Sequence, residues 1–477
     1  MNPKVLSIYF SLFTATDNHL GVHEKDPVRG NDSFAAFEEI LQLAKRFDVD
    51  ALLLGGDLFH ENKPSRKCMH TAMELFRHYC FGSRPSELEL LSDPSVNFPG
   101  KFGTVNYEDP NFNVSLPVFM IHGNHDDPTG EGNLSAIDIL STAGLVNYFG
   151  KSREVDDITM MPVLLRKGNT NVALYGLGNM RDERLHRTFL SRKVKMLAPP
   201  QEDGREWFNL MLFHQNRVAH TSTSFIPESF LDDSLDLIIW GHEHDNQIEP
   251  VYVPQRDFYI SQPGSSVVTS LSEGECLRPK MVALLEVTGT QFVLKPLVLK
   301  SSRPFVMGDV SLKEASPALL PHDQKAIEKF LCGKIEELIQ QAQGEWLQRQ
   351  GITEVIEGIE IPLPLIRLKV DYSGGFSSFN PHRFGHLFVN RVANPKEVIF
   401  FYRKRTANRT SEPILKPMDE FTIPAIAAAV EERSTLKMED LVKDFLQVQH
   451  LDLLPQNEFG DIVKIFVEKD DRESIEG

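Results

Sequence analysis

Asp57, Asn124, His214, His242 and His244 share one placement: each stands at or just past the end of a short hydrophobic run. Ala51-Leu52-Leu53-Leu54 passes through two glycines to Asp57, and Val118-Phe119-Met120-Ile121 leads to His122-Gly123-Asn124-His125-Asp126. Leu210-Met211-Leu212-Phe213 ends at His214, and Leu237-Ile238-Ile239-Trp240 ends at Gly241-His242-Glu243-His244. Asp17 and His19 follow the apolar start of the chain in the same way. Carboxylate, amide oxygen and imidazole suit Mn²⁺, Fe²⁺ or Zn²⁺, and the absence of thiolate argues against a structural zinc site. Seven donors are too many for one tetrahedral ion and suit two. Two ions roughly 3.5–4 Å apart clamp a phosphate and acidify a water, so the chemistry expected is phosphoester hydrolysis. Taken singly, Asp17 and His19 are a weak signal, and Gly55-Gly56-Asp57 or Asn124 would serve as an ordinary turn. Their recurrence at successive strand ends carries the reading.

Short apolar runs bounded by glycine and alternating with amphipathic stretches predict parallel strands buried on both faces. The loops beyond the carboxyl ends of such strands are where active sites gather. Helical spacing is expected for Phe34, Phe37, Ile40, Leu41, Ala44 and Phe47, and for Met69, Ala72, Met73, Phe76, Tyr79 and Cys80. Pro64 stands near the start of the second of these helices. A third helix carries Leu134, Ile137, Leu140 and Ala143. These stripes cover the sheet or, in a sharper alternative, form a dimer face. Residues 82–117, rich in Pro, Asn, Ser, Asp and Gly, read as a long irregular insertion with a partner or regulatory role. Near Ser301-Ser302-Arg303-Pro304 the pattern changes to a long amphipathic helix, about 322–348, followed by an alternating strand from Leu363 to Tyr372. The expected division is a ligand-bearing domain over 1–295, a small α+β domain over 301–410, and an acidic extension over 411–477 with helical pieces at 423–432 and 437–448.

With 477 residues, 41% of them hydrophobic, the chain has ample core for two or three domains. A net charge of −17 argues against indiscriminate polyanion binding. The charge is uneven: 301–410 is slightly basic and able to face a polyanion, whereas 411–477 is strongly acidic. Cys68, Cys80, Cys276 and Cys332 have no paired or zinc-type spacing, which fits a reducing compartment without structural disulfides. No apolar run approaches the ~20 residues of a membrane span. The opening Lys4 to Phe13 faintly resembles a signal peptide, but cleavage would fall beside Asp17, so the segment is read as an extended first strand.

The order Asp-x-His, Gly-Asp, Gly-Asn-His-Asp, His, Gly-His-x-His resembles the calcineurin-like metallophosphoesterases. That resemblance implies an α/β phosphoesterase β-sandwich with flanking helices, capped by the smaller α+β domain. It also implies a two-metal centre bridged by Asp57, one ion on Asp17, His19 and His244 and the other on Asn124, His214 and His242. His125 then resembles the family's non-ligand histidine, which protonates the leaving oxygen; the bland alternative is a supporting hydrogen bond to a ligand.

Longer strings are more specific. Asp17-Asn18-His19-Leu20-Gly21, Glu24 to Asp32, Gly55 to Ser65, His122 to Thr129, Trp240 to His244, Ile260 to Leu271 and Asn380 to Gly385 resemble the Mre-type nucleases of eukaryotic double-strand-break repair complexes. The resemblance implies a nuclear, Mn²⁺-dependent DNA nuclease with two Mn²⁺ ions, acting as a 3′-to-5′ exonuclease and single-strand endonuclease. Its implied partners are a second copy of the chain through the helices near 64–80 and 134–146, an SMC-like ABC ATPase, and a nibrin-type subunit held by the 82–117 latching loop. His60 resembles the residue that positions the DNA strand, or simply packs beside Asp57. Arg29, Lys63, Arg66 and Arg217 lie in loops after the ligand motifs and are candidate phosphate contacts, against an ordinary role as solvated surface charge. The chain ends in acidic residues without the glycine- and arginine-containing tail typical of eukaryotic members, so no DNA contact from such a tail is expected. Two other readings stay open: a DNA-tethering scaffold with little cleavage, and a metallophosphatase.

Overall fold

The computed structural model describes residues 9–404, apart from 99, 130, 153, 202–205, 220 and 353–359. The helices expected at 423–432 and 437–448, and most of the extension ahead of the first strand, lie outside the described residues.

Two sheets form the body of the molecule. The first has six strands in the order Gln291–Val298, Met281–Thr288, Phe10–Ala15, Ala51–Gly55, Val118–Ile121, Asn147–Tyr148, the last four mutually parallel. The second has seven, with a parallel centre of Thr170–Leu177, Phe208–His214, Leu237–Gly241 and Phe258–Gln262. Alternate residues of each strand point to opposite faces, and here both faces are covered. Leu53, Phe119, Leu210, Leu212, Leu237 and Ile239 meet between the sheets. Leu52, Leu54 and Met120 turn outward against Phe37, Ile40, Leu41, Phe76, Ile137 and Leu140 of three helices. Met211, Phe213, Ile238 and Trp240 pack on the far side of the second sheet. This is why the runs are continuously apolar rather than alternating.

The helices are Asp32–Arg46, Arg66–Cys80 and Ala136–Thr142. Ser65 caps the second by accepting from the Cys68 N–H at 3.0 Å, so Pro64 precedes the cap instead of occupying the first turn. Ser135 and Asp138 form a reciprocal capping box on the third, which leaves Leu134 outside the helix and exposed. The insertion is less irregular than its composition predicts. Glu89–Leu90 adds an edge strand to the second sheet; the Asn106 backbone N–H donates to Asn147 Oδ1 (2.7 Å), Asn147 Nδ2 donates to Asn106 Oδ1 (2.9 Å), and Asn106 Nδ2 donates to the Gly144 carbonyl.

The smaller unit is a parallel three-stranded sheet of Phe305–Ser311, Leu365–Asp371 and Ile399–Tyr402. Parallel neighbours need a crossover, supplied between the first two by the helix Gln324–Gln350. Ile327, Leu331, Ile335 and Ile339, four residues apart, lay one face of that helix on Val306, Ile366, Leu368 and Val370. Arg303 fastens this unit to the body with two bonds to Asp32 (2.6 and 2.7 Å) and one each to the carbonyls of Val28 and Leu363. Lys369 pairs with Glu273 on the same joint.

Candidate metal centre

The strands ending at Ala15, Gly55, Ile121, His214 and Gly241 deliver their next residues to one place. Contact there is close enough to require glycine. A Cβ on Gly123 would stand 2.0 Å from Asp57 Oδ1, and one on Gly56, whose φ is +98°, would stand 2.4 Å from His214 Nδ1. Asp17, His19, Asp57 and His242 themselves have positive φ values of 51°, 46°, 49° and 83°. That region is costly for residues with a Cβ and is typical of functional sites.

The seven expected donors converge in two groups. Donor atoms of Asp17, His19 and His244 lie within 4.8 Å of one another, as do those of Asp57, His214 and His242. Asp57 Oδ2 lies between the groups, 3.8 Å from His19 Nε2 and 3.4 Å from His214 Nε2. Asn124 Oδ1 joins the second group, 2.8 Å from His242 Nδ1 and 3.4 Å from His214 Nε2. In the first, the Nε2 atoms of His19 and His244 face each other at 3.0 Å and stand 3.9 and 3.7 Å from Asp17 Oδ1. That oxygen is buried and has no hydrogen-bond partner among the described residues. A buried carboxylate oxygen left unpaired beside converging imidazole nitrogens is the environment a cation satisfies. The donor set fits two divalent ions.

Charge among these groups is strongly shared. Burial pulls the His214 imidazole down, but Asp57 and Asp17 outweigh it and push the value up to about 10. Burial raises Asp57, yet His214 and His19 hold it below the ordinary carboxylate range. His19 is driven well down by burial, and His242 is lowered by burial and by His214. For His244, burial is opposed and exceeded by Glu275 and Asp17.

His125 and His60 stand beside the first group. The His125 N–H donates to Asp57 Oδ1 at 2.8 Å, and its Nδ1 lies 2.7 Å from the His60 carbonyl, which leaves Nε2 uncommitted. The two rings stack with centroids 5.0 Å apart, and His19 meets both edge-on. Three imidazoles gather here without a carboxylate, a donor set less suited to Mn²⁺ than either group containing an aspartate.

The four candidate DNA contacts are placed differently. Lys63 and Arg66 are exposed. Arg29 is buried and donates to the Val268 carbonyl at 3.2 Å. Arg217 grips Glu228 Oε1 with two nitrogens, at 2.6 and 3.0 Å, and lies over the Trp240 ring.

The supporting roles of Asp126, Thr269, Glu275 and Lys280 escaped the sequence reading. Asp126 accepts from the backbone N–H groups of Leu58 (2.6 Å), Phe59 (3.2 Å) and Gly123 (2.7 Å), tying the loops of Asp57 and Asn124 together. Thr269 Oγ1 lies 2.8 Å from His244 Nδ1 and donates to Glu275 Oε1 at 2.8 Å, while Glu275 Oε2 accepts from buried Lys280 at 2.8 Å. This relay orients His244 with Nε2 toward Asp17. Asp126 sits inside the motif string; Glu275 has no local signature.

Residues 12–246 match the calcineurin-like phosphoesterase family, and residues 292–466 match the Mre11 DNA-binding presumed domain. The chain is 50% identical over 475 residues to the double-strand break repair protein MRE11 of Homo sapiens, covering 98% of this chain and 65% of that protein. It is 46% identical to the protein of that name from Arabidopsis thaliana, over 99% of this chain and 64% of that protein. The same identity holds for the double-strand break repair protein mus-23 of Neurospora crassa, over 98% and 63%. The chain belongs to the Mre11 family. It spans about 65% of the length of the curated family members it matches. The two-sheet body is the family's calcineurin-like phosphoesterase fold. No helix among the described residues is long and apolar enough to cross a membrane.

Proposed function

We propose that this chain is a DNA nuclease of double-strand-break repair that hydrolyses phosphodiesters with two Mn²⁺ ions, as a 3′-to-5′ exonuclease and single-strand endonuclease. The observation carrying this reading is the position of Asp57 Oδ2, which both groups of donors share. Asp17, His19 and His244 would hold one ion, and Asn124, His214 and His242 the other, with Asp57 common to both. When bound, such a pair supplies a clamp for the phosphate oxygens and acidifies a water for attack. The chain's own groups do the rest. His125, fixed through Nδ1, keeps Nε2 free to give a proton to the departing sugar oxygen. His60 stacks on that ring and offers its edge to the strand being cut. Lys63 and Arg66, both exposed, meet backbone phosphates.

The domain reading is a phosphoesterase body over 1–295, a DNA-holding cap over 301–410, and an acidic extension over 411–477. The 82–117 segment would latch a nibrin-type subunit, the helices at 66–80 and 136–142 would pair two copies of the chain, and an SMC-like ABC ATPase would complete a nuclear assembly. Digestion of end-labelled duplex and hairpin DNA in Mn²⁺ tests the function. The expected outcome is metal-dependent degradation that His125→Asn abolishes while the oligomeric state by light scattering is unchanged. Degradation that survives this substitution removes His125 from the mechanism. Turnover of nitrophenyl phosphate with intact DNA would favour a phosphatase, and DNA tethering without turnover of either would favour a scaffold.

A further inference from the structure

A pocket of about 350 Å³ opens at the joint between the phosphoesterase body and the small sheet, lined by His23, Arg29, Thr269, Ser270, Ser272, Arg367 and two further residues, one of them Glu397. Its chemistry is that of an oxyanion seat. Two guanidinium groups face one exposed carboxylate, and on the loop 269–272 the hydroxyls of Thr269 and Ser270 donate to Glu275 while that of Ser272 is left to donate into the pocket. Arg367 Cζ lies over the Phe400 ring, 5.0 Å from its centroid, Nη1 reaches the Glu397 backbone carbonyl at 3.5 Å, and no carboxylate pairs with it among the described residues. Arg29 Nε and His23 Nε2 are buried without hydrogen-bond partners among the described residues. Buried nitrogens of this kind are satisfied in almost all folded proteins, and Arg presents a fork suited to phosphate. Burial and the neighbouring Arg29 lower the His23 pKa, and among the lining side chains two arginines face one carboxylate.

The location adds the second half of the argument. Thr269 lines this pocket and its hydroxyl also touches His244 Nδ1 at 2.8 Å. One side chain therefore separates the pocket from the candidate metal centre. We propose that this pocket holds the phosphodiester next along the strand whose neighbouring phosphate lies at the metal centre. The proposal rests on the nuclease reading and gives it a strand-positioning subsite built from both structural units.

The test is fluorescence anisotropy of a single-stranded oligonucleotide on the full chain in chelator, across a range of salt. Arg367→Gln should weaken binding and make the slope of log affinity against log salt shallower by about 0.7, the loss of one phosphate contact on a single strand. Ser272→Ala should weaken binding without altering that slope. Glu397→Gln, which removes the opposing charge, should tighten it. An unchanged slope for Arg367→Gln in a protein with wild-type circular dichroism overturns the proposal, as does weaker binding by Glu397→Gln. Inorganic phosphate alone distinguishes the source. If it raises the wild-type thermal midpoint through Arg367 while the DNA slope is unaffected, the pocket serves free phosphate and the diester assignment is wrong. Hydrolysis of bis(nitrophenyl) phosphate by the wild-type protein in Mn²⁺ reports on the nuclease reading separately, since that diester carries no neighbouring phosphate.

Discussion

His214 Nδ1 lies 2.8 Å from the carbonyl oxygen of Gly55, and this bond crosses from the end of one sheet to the end of the other. It leaves Nε2 to face Asp57 and Asp17. The imidazole is thereby fixed by a backbone group that mutation cannot easily remove.

Proton release on metal binding follows from that arrangement. In the ion-free protein His214 titrates near 10, above the ordinary value of 6.5. Its contribution to stability is complete below 6.5 and is lost as pH rises through about 10. A ligating imidazole must be neutral, so at pH 8 binding should release about one proton from this residue. Calorimetry of Mn²⁺ binding in two buffers of different ionisation enthalpy measures it. Release should fall as pH approaches 10; release independent of pH over that interval would contradict the assignment.

Glu275 should matter twice. Glu275→Gln removes the carboxylate behind Thr269 and His244 and is expected to lower affinity for the ion at Asp17 by roughly 10–100-fold. It also leaves the Lys280 ammonium, 4% exposed, without its partner, at a cost of about 3–5 kcal/mol. The double change Glu275→Gln with Lys280→Met should restore the thermal midpoint and leave metal affinity low. Recovery of both together would make Glu275 structural only.

Gly123→Ala probes the closeness of the Asp57 and Asn124 loops. The new methyl would overlap Asp57 Oδ1, and forcing the loops apart should cost about 1–3 kcal/mol. Urea titration measures the loss, and metal titration should show the shared carboxylate displaced.

The cysteines offer a check on packing. Burial pushes the thiols of Cys68 and Cys80 up to about 12, and thiolate is the reactive form. At pH 8 in native buffer, iodoacetamide should label Cys276 and Cys332, which are partly accessible, before either of the others. Mass spectrometry of tryptic peptides gives the order; early labelling of Cys80 would mean that the helix Arg66–Cys80 opens locally.

The strands and the seven converging donors were legible because each signal is local: an apolar run, a glycine, a ligand-type residue. The outer helices were legible for the same reason, since Phe37, Ile40, Phe76 and Cys80 repeat on one face. What escaped was set by distant contacts. Glu275 is recognised only through His244 and Lys280 in space. The burial of Arg29 beneath Val268 depends on residues more than two hundred positions away. The 82–117 insertion looked loose by composition because the bonds between Asn106 and Asn147 have no trace in either segment alone.

Asp17, His19, Asp57 and His242 all hold a left-handed backbone. Local preference opposes those angles, so the buried layers on either side of the two sheets must impose them. The same layers hold the sandwich together, unlike a zinc finger, in which metal and folding arrive together. A chelator should empty such a protein and leave it folded, ready to be recharged.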